Sequence, residues 1–261
     1  RGSGRGASRW GCLTATGIVS LSVCIPMFWP LFGRVYPANC PVGRLGWVVI
    51  TGVVALFLIL GIEMWRYKPH REAKVGEQQA SLAAQRAIER TVGGVFVAMY
   101  VGLPMALIAA TRMLGEGTWG LAALLTVIAT TKSSDTGAYF VGRALGRAKL
   151  IPRLSPGKTQ EGAVGGIAVA TFAAFLCLQF LFPWIAASSS TPLPSTWWAL
   201  VLGPALAVSG MLGDLAESLV KRDAGAKDSG NWLPGMGGVW DVSDSLIAAA
   251  MPGFMVFAAA L

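Results

Sequence analysis

Residues 213–245 contain the densest group of side chains able to perform chemistry. Apolar segments border this stretch on both sides, and it holds six of the chain's thirteen acidic residues: Asp214, Glu217, Asp223, Asp228, Asp241 and Asp244. Three basic residues lie among them: Lys221, Arg222 and Lys227. Charged groups at the edge of a membrane are costly to desolvate, so such residues usually bind something. The mixture of carboxylates and cations favours a site for a metal ion and a set of phosphates.

Helical spacing arranges these polar side chains on the ends of two apolar segments. One helix face is predicted to carry Asp214, Glu217, Ser218, Lys221 and Arg222. Asp241 and Asp244 follow at i, i+3, where the last apolar segment begins. Oxygen ligands without His or Cys favour Mg²⁺ over zinc. We therefore predict that Asp214, Asp241 and Asp244 bind Mg²⁺; the alternatives are an intrahelical Glu217–Lys221 pair and simple stabilisation of the aspartates by the helix dipole.

Two glycine-rich segments could bring backbone close to phosphate. The first runs from Lys227 to the glycines of PGMGG: Gly235, Gly237 and Gly238. A loop of this kind entering a helix is a ready anion site. The second, between 135 and 162, contains Asp135 and Tyr139, followed by SPGKTQEG with Ser155, Lys158, Thr159 and Glu161, which is expected to open the next helical span. SPGKT lacks the spacing and the preceding strand of a Walker A loop, so we reject a P-loop.

Composition places this site in a membrane protein. The chain is 54% hydrophobic and 13% charged, against about 25% charged residues in a soluble domain. Apolar runs predict an all-α polytopic bundle of about seven transmembrane helices, with eight as the alternative count, near 13–32, 45–65, 92–111, 118–131, 163–185, 197–217 and 245–261. The 118–131 run is short and is expected to continue through polar residues. The first run is interpreted as a retained span.

The distribution of basic residues predicts topology rather than nucleic-acid binding. The net charge is +8, and basic residues concentrate in the connections at 66–91, 143–158 and 221–227. The positive-inside rule then places these connections and the N-terminus in the cytoplasm. The 66–91 connection is either an amphipathic surface helix or a solvated linker. We predict a single integral-membrane domain, in which 1–91 forms the N-terminal spans and basic loop and 92–261 forms the catalytic core.

Three motifs in order make the chain resemble the phosphatidate cytidylyltransferases, or CDP-diacylglycerol synthases. The family signature S-x-x-K-R-x4-K-D, P-G-H-G-G, D-R-x-D is matched from Ser218 to Asp244, with Met236 in place of His and Val242 in place of Arg. The upstream elements D-x-x-A-Y-x-x-G and S-P-x-K-T-x-E-G are matched from Asp135 and from Ser155. The likeness covers roughly the C-terminal half. A Met cannot donate to phosphate and a Val cannot neutralise charge, so the roles of His and Arg at those two positions do not carry over to this chain.

The resemblance implies cytidylyl transfer from CTP to phosphatidic acid at the cytoplasmic face of a bacterial plasma membrane, with Mg²⁺ and a possible second cation. It assigns catalysis to Lys221, Arg222, Lys227, Asp228 and Asp241. It assigns substrate binding to Asp135, Tyr139, Ser155, Lys158, Thr159, Glu161, Ser218, Gly235, Gly237 and Gly238. The implied partners are CTP, phosphatidic acid, the lipid bilayer and a second copy in a homodimer. Three alternatives stay open: a CTP-dependent transferase for another lipid phosphate, an ion transporter, and a non-catalytic lipid-binding paralogue.

Overall fold

A computed structural model describes residues 8–28, 31, 43–66, 77–223 and 238–261. The helices in chain order are α1 (Arg9–Leu21), α2 (Ile25–Phe28), α3 (Gly43–Arg66), α4 (Glu77–Arg112), α5 (Trp119–Leu145), α6 (Gln160–Leu176), α7 (Phe182–Ile185), α8 (Ala199–Asp223) and α9 (Val239–Ala259). Two short strands, β1 (Lys149–Ile151) and β2 (Ser155–Thr159), lie between α5 and α6. A π-helical turn, Cys177–Leu181, joins α6 to α7.

The predicted all-α polytopic class is confirmed. Within the described residues, six helical segments are long and apolar enough to cross a membrane, and the protein is an integral membrane protein. The run predicted at 118–131 is the beginning of α5, which continues to Leu145 through Lys132 and Asp135. In the 66–91 connection, residues 77–91 are helical and belong to α4, which continues without a break into the next apolar run.

The chain divides into two compact units, Arg1–Ala109 and Ala110–Leu261. In the first unit α1 packs on α3, and the Ser8 hydroxyl caps α1 by accepting a hydrogen bond from Gly11 N. Glu63 is buried near the end of α3, where Arg66 and Arg90 neutralise it at 2.8 and 3.3 Å. The predicted division at 91/92 stays a prediction.

The second unit contains α5, α6, α8 and α9 packed together. Three buried aromatic rings, Trp119, Phe182 and Phe257, meet at centroid distances of 5.2 to 5.9 Å and fill the core at one end of these helices. The loop at 186–196 closes that end, because Trp119 Nε1 donates to the Pro192 carbonyl at 3.0 Å. The polar residues of α5, α8 and α9 lie toward the other end.

The β1–β2 hairpin is the one departure from helix among the described elements. Its strands are antiparallel and pair Lys149 with Thr159 and Ile151 with Ser155. It therefore carries the whole SPGKT segment, which the sequence argument had placed at the opening of a helix. Thr159 ends the strand and caps α6 at once, so the hairpin is fixed to the start of that helix.

Candidate active site

Three carboxylates from α8 and α9 form an acidic cluster: Asp214, Glu217 and Asp244. Their nearest oxygens all lie within 4.8 Å of one another. Glu217 is 1% exposed and Asp244 is 4% exposed. Asp214 and Glu217 share a face of α8 at i, i+3, as the spacing predicted, and Asp244 faces them from the second turn of α9. Like charges this close repel strongly in a partly buried place, so the acidic cluster favours a bound cation.

Gly213 lets the two helices approach closely enough to form the acidic cluster. A Cβ added at this position would lie 2.5 Å from the Ala248 Cβ and 2.7 Å from the Asp244 carbonyl oxygen. Neither atom is the far end of a flexible side chain, so any larger residue must push α8 away from α9. The glycine beside Asp214 is therefore part of what places the opposing carboxylates.

The donor set of the acidic cluster fits a hard divalent cation. All the ligand atoms are carboxylate oxygens, which Mg²⁺ prefers. Glu217 Oε1 is buried and has no hydrogen-bond partner in the described part of the chain. Asp244 Oδ1 is oriented by the Ser245 backbone N–H at 2.6 Å. A buried carboxylate oxygen that lacks a hydrogen-bond partner and lies close to two further carboxylates is suited to bind a cation.

Lys221 connects the acidic cluster to Asp241. Its Nζ lies 3.2 Å from Glu217 Oε2 and donates to Asp241 Oδ1 at 2.9 Å. The other oxygen of Asp241 accepts from the Gly238 backbone N–H at 2.6 Å and closes the first turn of α9. Asp241 was predicted to bind the metal together with Asp214 and Asp244, but its contacts are with Lys221 and the start of α9. Glu217 is the third carboxylate that lies close to the two aspartates.

A second lysine reaches the acidic cluster from the hairpin. Lys158 Nζ lies 2.5 Å from Asp214 Oδ2, and both side chains line a cavity of about 530 Å³. The cavity brings together residues of α5, β1, β2, α6 and α8: Asp135, Ala138, Tyr139, Gly142, Arg143, Leu150, Gly157, Lys158, Thr159, Gly162, Ala163, Met211 and Asp214. Asp135, Tyr139, Lys158 and Thr159, all predicted substrate-binding residues, therefore lie around one space.

Thr159 and Glu161 make contacts that hold the hairpin in place. Thr159 Oγ1 accepts from the Gly162 N–H at 3.1 Å. A Cβ added at Gly142 would lie only 2.9 Å from the same oxygen, so this glycine lets α5 pack closely against the start of α6. Glu161 accepts from the backbone N–H groups of Arg147 and Ala148 at 3.0 and 3.1 Å. These side chains fix the base of the hairpin that presents Lys158, while Ser155 begins β2.

The remaining predicted residues lie on α5, on α8, at the start of α9 or outside the described residues. Ser218 is half-buried next to Glu217, and Arg222 is exposed next to Lys221. Gly238 is buried at the start of α9. Lys227, Asp228, Gly235 and Gly237, together with Met236, lie outside the described residues. Tyr139 Oη accepts from Arg143 at 2.9 Å along the cavity wall.

Two residues of this region have roles that the sequence did not indicate. Glu217 was assigned to the shared face of α8 but not to the metal, because its spacing also suits an ion pair with Lys221. Lys132 was not considered, although its ammonium donates to the Val242 carbonyl at 2.7 Å and to Ser245 Oγ at 2.9 Å. Its signal was a lysine placed directly after an apolar run, where a charge is expensive.

Known sequences match the chain over most of its length. A family profile described as "Cytidylyltransferase family" matches residues 10–260. A protein of Brucella suis named phosphatidate cytidylyltransferase is 42% identical over 157 residues, which cover 60% of this chain and 53% of that protein. The Bacillus subtilis protein of the same name is 41% identical over 164 residues, 63% of this chain and 56% of its own length.

A more divergent relative extends the aligned region. The Mycobacterium leprae protein, also named phosphatidate cytidylyltransferase, is 33% identical over 191 residues, which cover 72% of this chain and 57% of that protein. The matches thus span a little over half the length of these relatives.

Proposed function

The chain belongs to the cytidylyltransferase family, and from that premise we propose that it transfers the cytidylyl group of CTP to phosphatidic acid, releasing pyrophosphate and forming CDP-diacylglycerol. The family predicted from the three motifs is thereby confirmed at the level of cytidylyltransferases. The observation that carries the specific proposal is the acidic cluster of Asp214, Glu217 and Asp244, flanked by Lys158 and Lys221 at the edge of a cavity. Relatives named for this activity supply the substrates.

The reaction makes few demands on acid–base chemistry. An oxygen of the lipid phosphate attacks the α-phosphorus of CTP, a new P–O bond forms, and the bond from the α-phosphorus to the bridging oxygen breaks as pyrophosphate leaves. A phosphate monoester is already an oxyanion at neutral pH, so the protein need not supply a base. Catalysis then depends on positioning the two anionic substrates and neutralising their charge.

Asp214, Glu217 and Asp244 would hold Mg²⁺, with Asp241 holding Lys221 and the start of α9. When bound, this ion would neutralise charge on the nucleotide phosphates and on the leaving pyrophosphate. The preference for Glu217 over Asp241 as a ligand follows from the contacts: Asp241 already accepts from Lys221 and Gly238, whereas one Glu217 oxygen has no hydrogen-bond partner in the described region.

The two lysines would bind substrate phosphates. Lys158 lies at the junction of the cavity and the acidic cluster, so a phosphate in the cavity would be within its reach while remaining near the cation ligands. Lys221 contacts the acidic cluster at Glu217. The two ammonium groups would offset the repulsion between a lipid phosphate and a nucleoside triphosphate, which would otherwise oppose their approach.

The place of the site along the helices suits one soluble and one lipid substrate. The acidic cluster lies in the last turns of α8 and the first turns of α9, while the apolar lengths of both helices lie beyond it. Charge at helix ends reaches the aqueous face, and the basic connections support our proposal that this face is the cytoplasmic side of a bacterial plasma membrane. The homodimer suggested by the resemblance stays a prediction.

A substrate panel tests the proposal. The purified protein in detergent would be incubated with CTP, Mg²⁺ and, separately, phosphatidic acid, a phosphatidic acid with ether-linked isoprenoid chains, and a polyprenyl phosphate, and the lipid products would be identified by mass. We expect CDP-diacylglycerol from phosphatidic acid and little product from the others. Product from a different lipid phosphate would move the chain to another substrate. Failure with every acceptor, together with ion uptake into proteoliposomes without CTP, would support a transporter.

A further inference from the structure

Lys132 links α5 to the first turns of α9. Its Nζ donates to the Val242 carbonyl at 2.7 Å and to Ser245 Oγ at 2.9 Å, and it lies 3.3 Å from Asp135 Oδ2. Ser245 Oγ in turn donates to the same Asp135 oxygen at 2.9 Å. The ammonium, hydroxyl and carboxylate therefore form a closed triangle of hydrogen bonds between two helices.

This triangle includes residues next to both parts of the candidate active site, the acidic cluster and the cavity. Ser245 follows Asp244, and its backbone N–H is the group that orients the Asp244 carboxylate. Asp135 lines the cavity that Lys158 and Asp214 share. A shift of the Lys132 ammonium would thus move the start of α9 relative to α5, and with it a member of the acidic cluster relative to the cavity.

The conformation of Lys132 is not that of a lysine extending to solvent. Lysines near a membrane surface usually place their ammonium in water. Here the side chain is only 38% exposed, its neighbours Thr131 and Ser134 are buried, and the ammonium is used to bind a backbone carbonyl and a hydroxyl of another helix. Two hydrogen bonds of the ammonium are therefore made to groups of α9 rather than to water.

We propose that Lys132 is a positioning residue of the cytidylyl-transfer site: by tying Val242 and Ser245 of α9 to Asp135 of α5, it sets Asp244 at the distance from Asp214 and Glu217 that a divalent cation requires. The description of this site as a cytidylyl-transfer site rests on the proposed function. The effect of Lys132 on cation binding does not, because cation affinity can be measured without turnover.

The direct readout is Mn²⁺ affinity. The full-length protein in detergent would be titrated with Mn²⁺, and the free ion would be measured by its electron-paramagnetic-resonance signal. Residues that orient metal ligands typically change affinity by about 10-fold or more when removed. We expect Lys132→Met to weaken Mn²⁺ binding about 10-fold, and Lys132→Arg to recover most of the loss. Lys149→Met is the matched control, since this exposed lysine of β1 loses the same charge away from the triangle and should bind Mn²⁺ as the unaltered protein does.

Ser245→Ala supplies a second variant should Lys132→Met fail to fold. Removal of the hydroxyl breaks two sides of the triangle but keeps the Ser245 backbone N–H that orients Asp244, so Mn²⁺ binding should weaken by a smaller factor. The double variant should lose less than the product of the two single losses, because the residues act through one network. Equal Mn²⁺ affinity in Ser245→Ala and Lys149→Met would overturn the proposal, as would additive losses.

Activity separates this inference from the proposed function. If the protein turns over CTP, Lys132→Met should raise the Mg²⁺ concentration needed for half-maximal rate about 10-fold and change the rate at saturating Mg²⁺ less. If no lipid phosphate accepts a cytidylyl group, the proposed function fails while the Mn²⁺ result still decides the role of Lys132. A variant with unchanged Mn²⁺ affinity and a lowered melting temperature would show that Lys132 only stabilises helix packing.

Discussion

Lys158 Nζ lies 2.5 Å from Asp214 Oδ2 and so joins the β1–β2 hairpin to the acidic end of α8. The hairpin is held at its base by Glu161 and Thr159, which leaves Lys158 as the side chain that reaches across the cavity. The contact brings the SPGKT motif and Asp214 of the acidic cluster, more than fifty residues apart in sequence, into a single site.

Replacement of Lys158 should weaken nucleotide or lipid phosphate binding. A hydrogen bond to a charged group contributes about 1.5–3 kcal/mol, so we expect Lys158→Met to raise the KM for one substrate about 10- to 100-fold. Steady-state kinetics with each substrate varied in turn would identify which phosphate it binds. Lys149→Met, on the neighbouring strand, should leave both KM values unchanged; equal effects of the two substitutions would show that only the net charge of the hairpin matters.

Replacement of Asp244 should remove cation binding and stabilise the cation-free protein. Asp244→Asn keeps an oxygen for the Ser245 N–H but eliminates one of three mutually repelling carboxylates. We expect the melting temperature measured in chelator to rise by about 2–4 °C, as for 1 kcal/mol in a chain of this size, and the stabilisation by added Mg²⁺ to disappear.

Glu89→Gln is the control for that measurement, because this exposed glutamate of α4 accepts a hydrogen bond from Gln85 of its own helix and loses the same charge. It should leave both melting temperatures unchanged. If Asp244→Asn retained the full stabilisation by Mg²⁺, the ion would have to bind elsewhere.

Glu217 and Asp241 can be told apart by direct cation binding. Glu217→Gln should lower Mn²⁺ affinity strongly, because it neutralises a buried member of the acidic cluster. Asp241→Asn should lower it less and act mainly on turnover, because its contacts are with Lys221 and the α9 terminus. The reverse order, measured by titration of Mn²⁺, would restore Asp241 to the ligand set predicted from sequence.

Gly213 should not tolerate a side chain. Gly213→Ala places a methyl group 2.5 Å from Ala248 Cβ, and overpacking of this kind typically costs about 1–3 kcal/mol. We expect a lower melting temperature together with weaker Mg²⁺ binding, since α8 and α9 separate where the carboxylates meet. Gly93→Ala in α4 is the control: nothing lies within 4 Å of the added carbon, and alanine favours the helix. Equal stability of the two variants would contradict close packing at Gly213.

The sequence was sufficient to predict the helices and much of the acidic cluster. Apolar runs and helical spacing brought Asp214 and Asp244 to two helix ends that were expected to meet, and they do. The choice between Glu217 and Asp241 could not be made from spacing, because it depends on Asp241 turning back to the Gly238 N–H. That contact is set by how the chain enters α9, which periodicity does not report.

Features that depend on tertiary contacts could not be predicted from the sequence. The hairpin is too short to show an alternating pattern, so Lys158 was expected at a helix start. The role of Lys132 depends on its hydrogen bonds to Val242 and Ser245, which belong to a helix more than one hundred residues away in sequence. Its ammonium also lies beside the position where the resembled family has an arginine and this chain has Val242.

Cytidylyl transfer can be followed through the position of the label that CTP passes to the lipid. Full-length protein in lipid vesicles containing phosphatidic acid would receive Mg²⁺ and CTP labelled at either the α- or the γ-phosphate. We predict that α-label enters the lipid phase as CDP-diacylglycerol, that γ-label stays in water as pyrophosphate, and that Asp244→Asn releases neither product. Absence of α-label from the lipid with the unaltered protein would show that the chain does not transfer the cytidylyl group, and equal transfer by Asp244→Asn would show that the reaction does not depend on the acidic cluster.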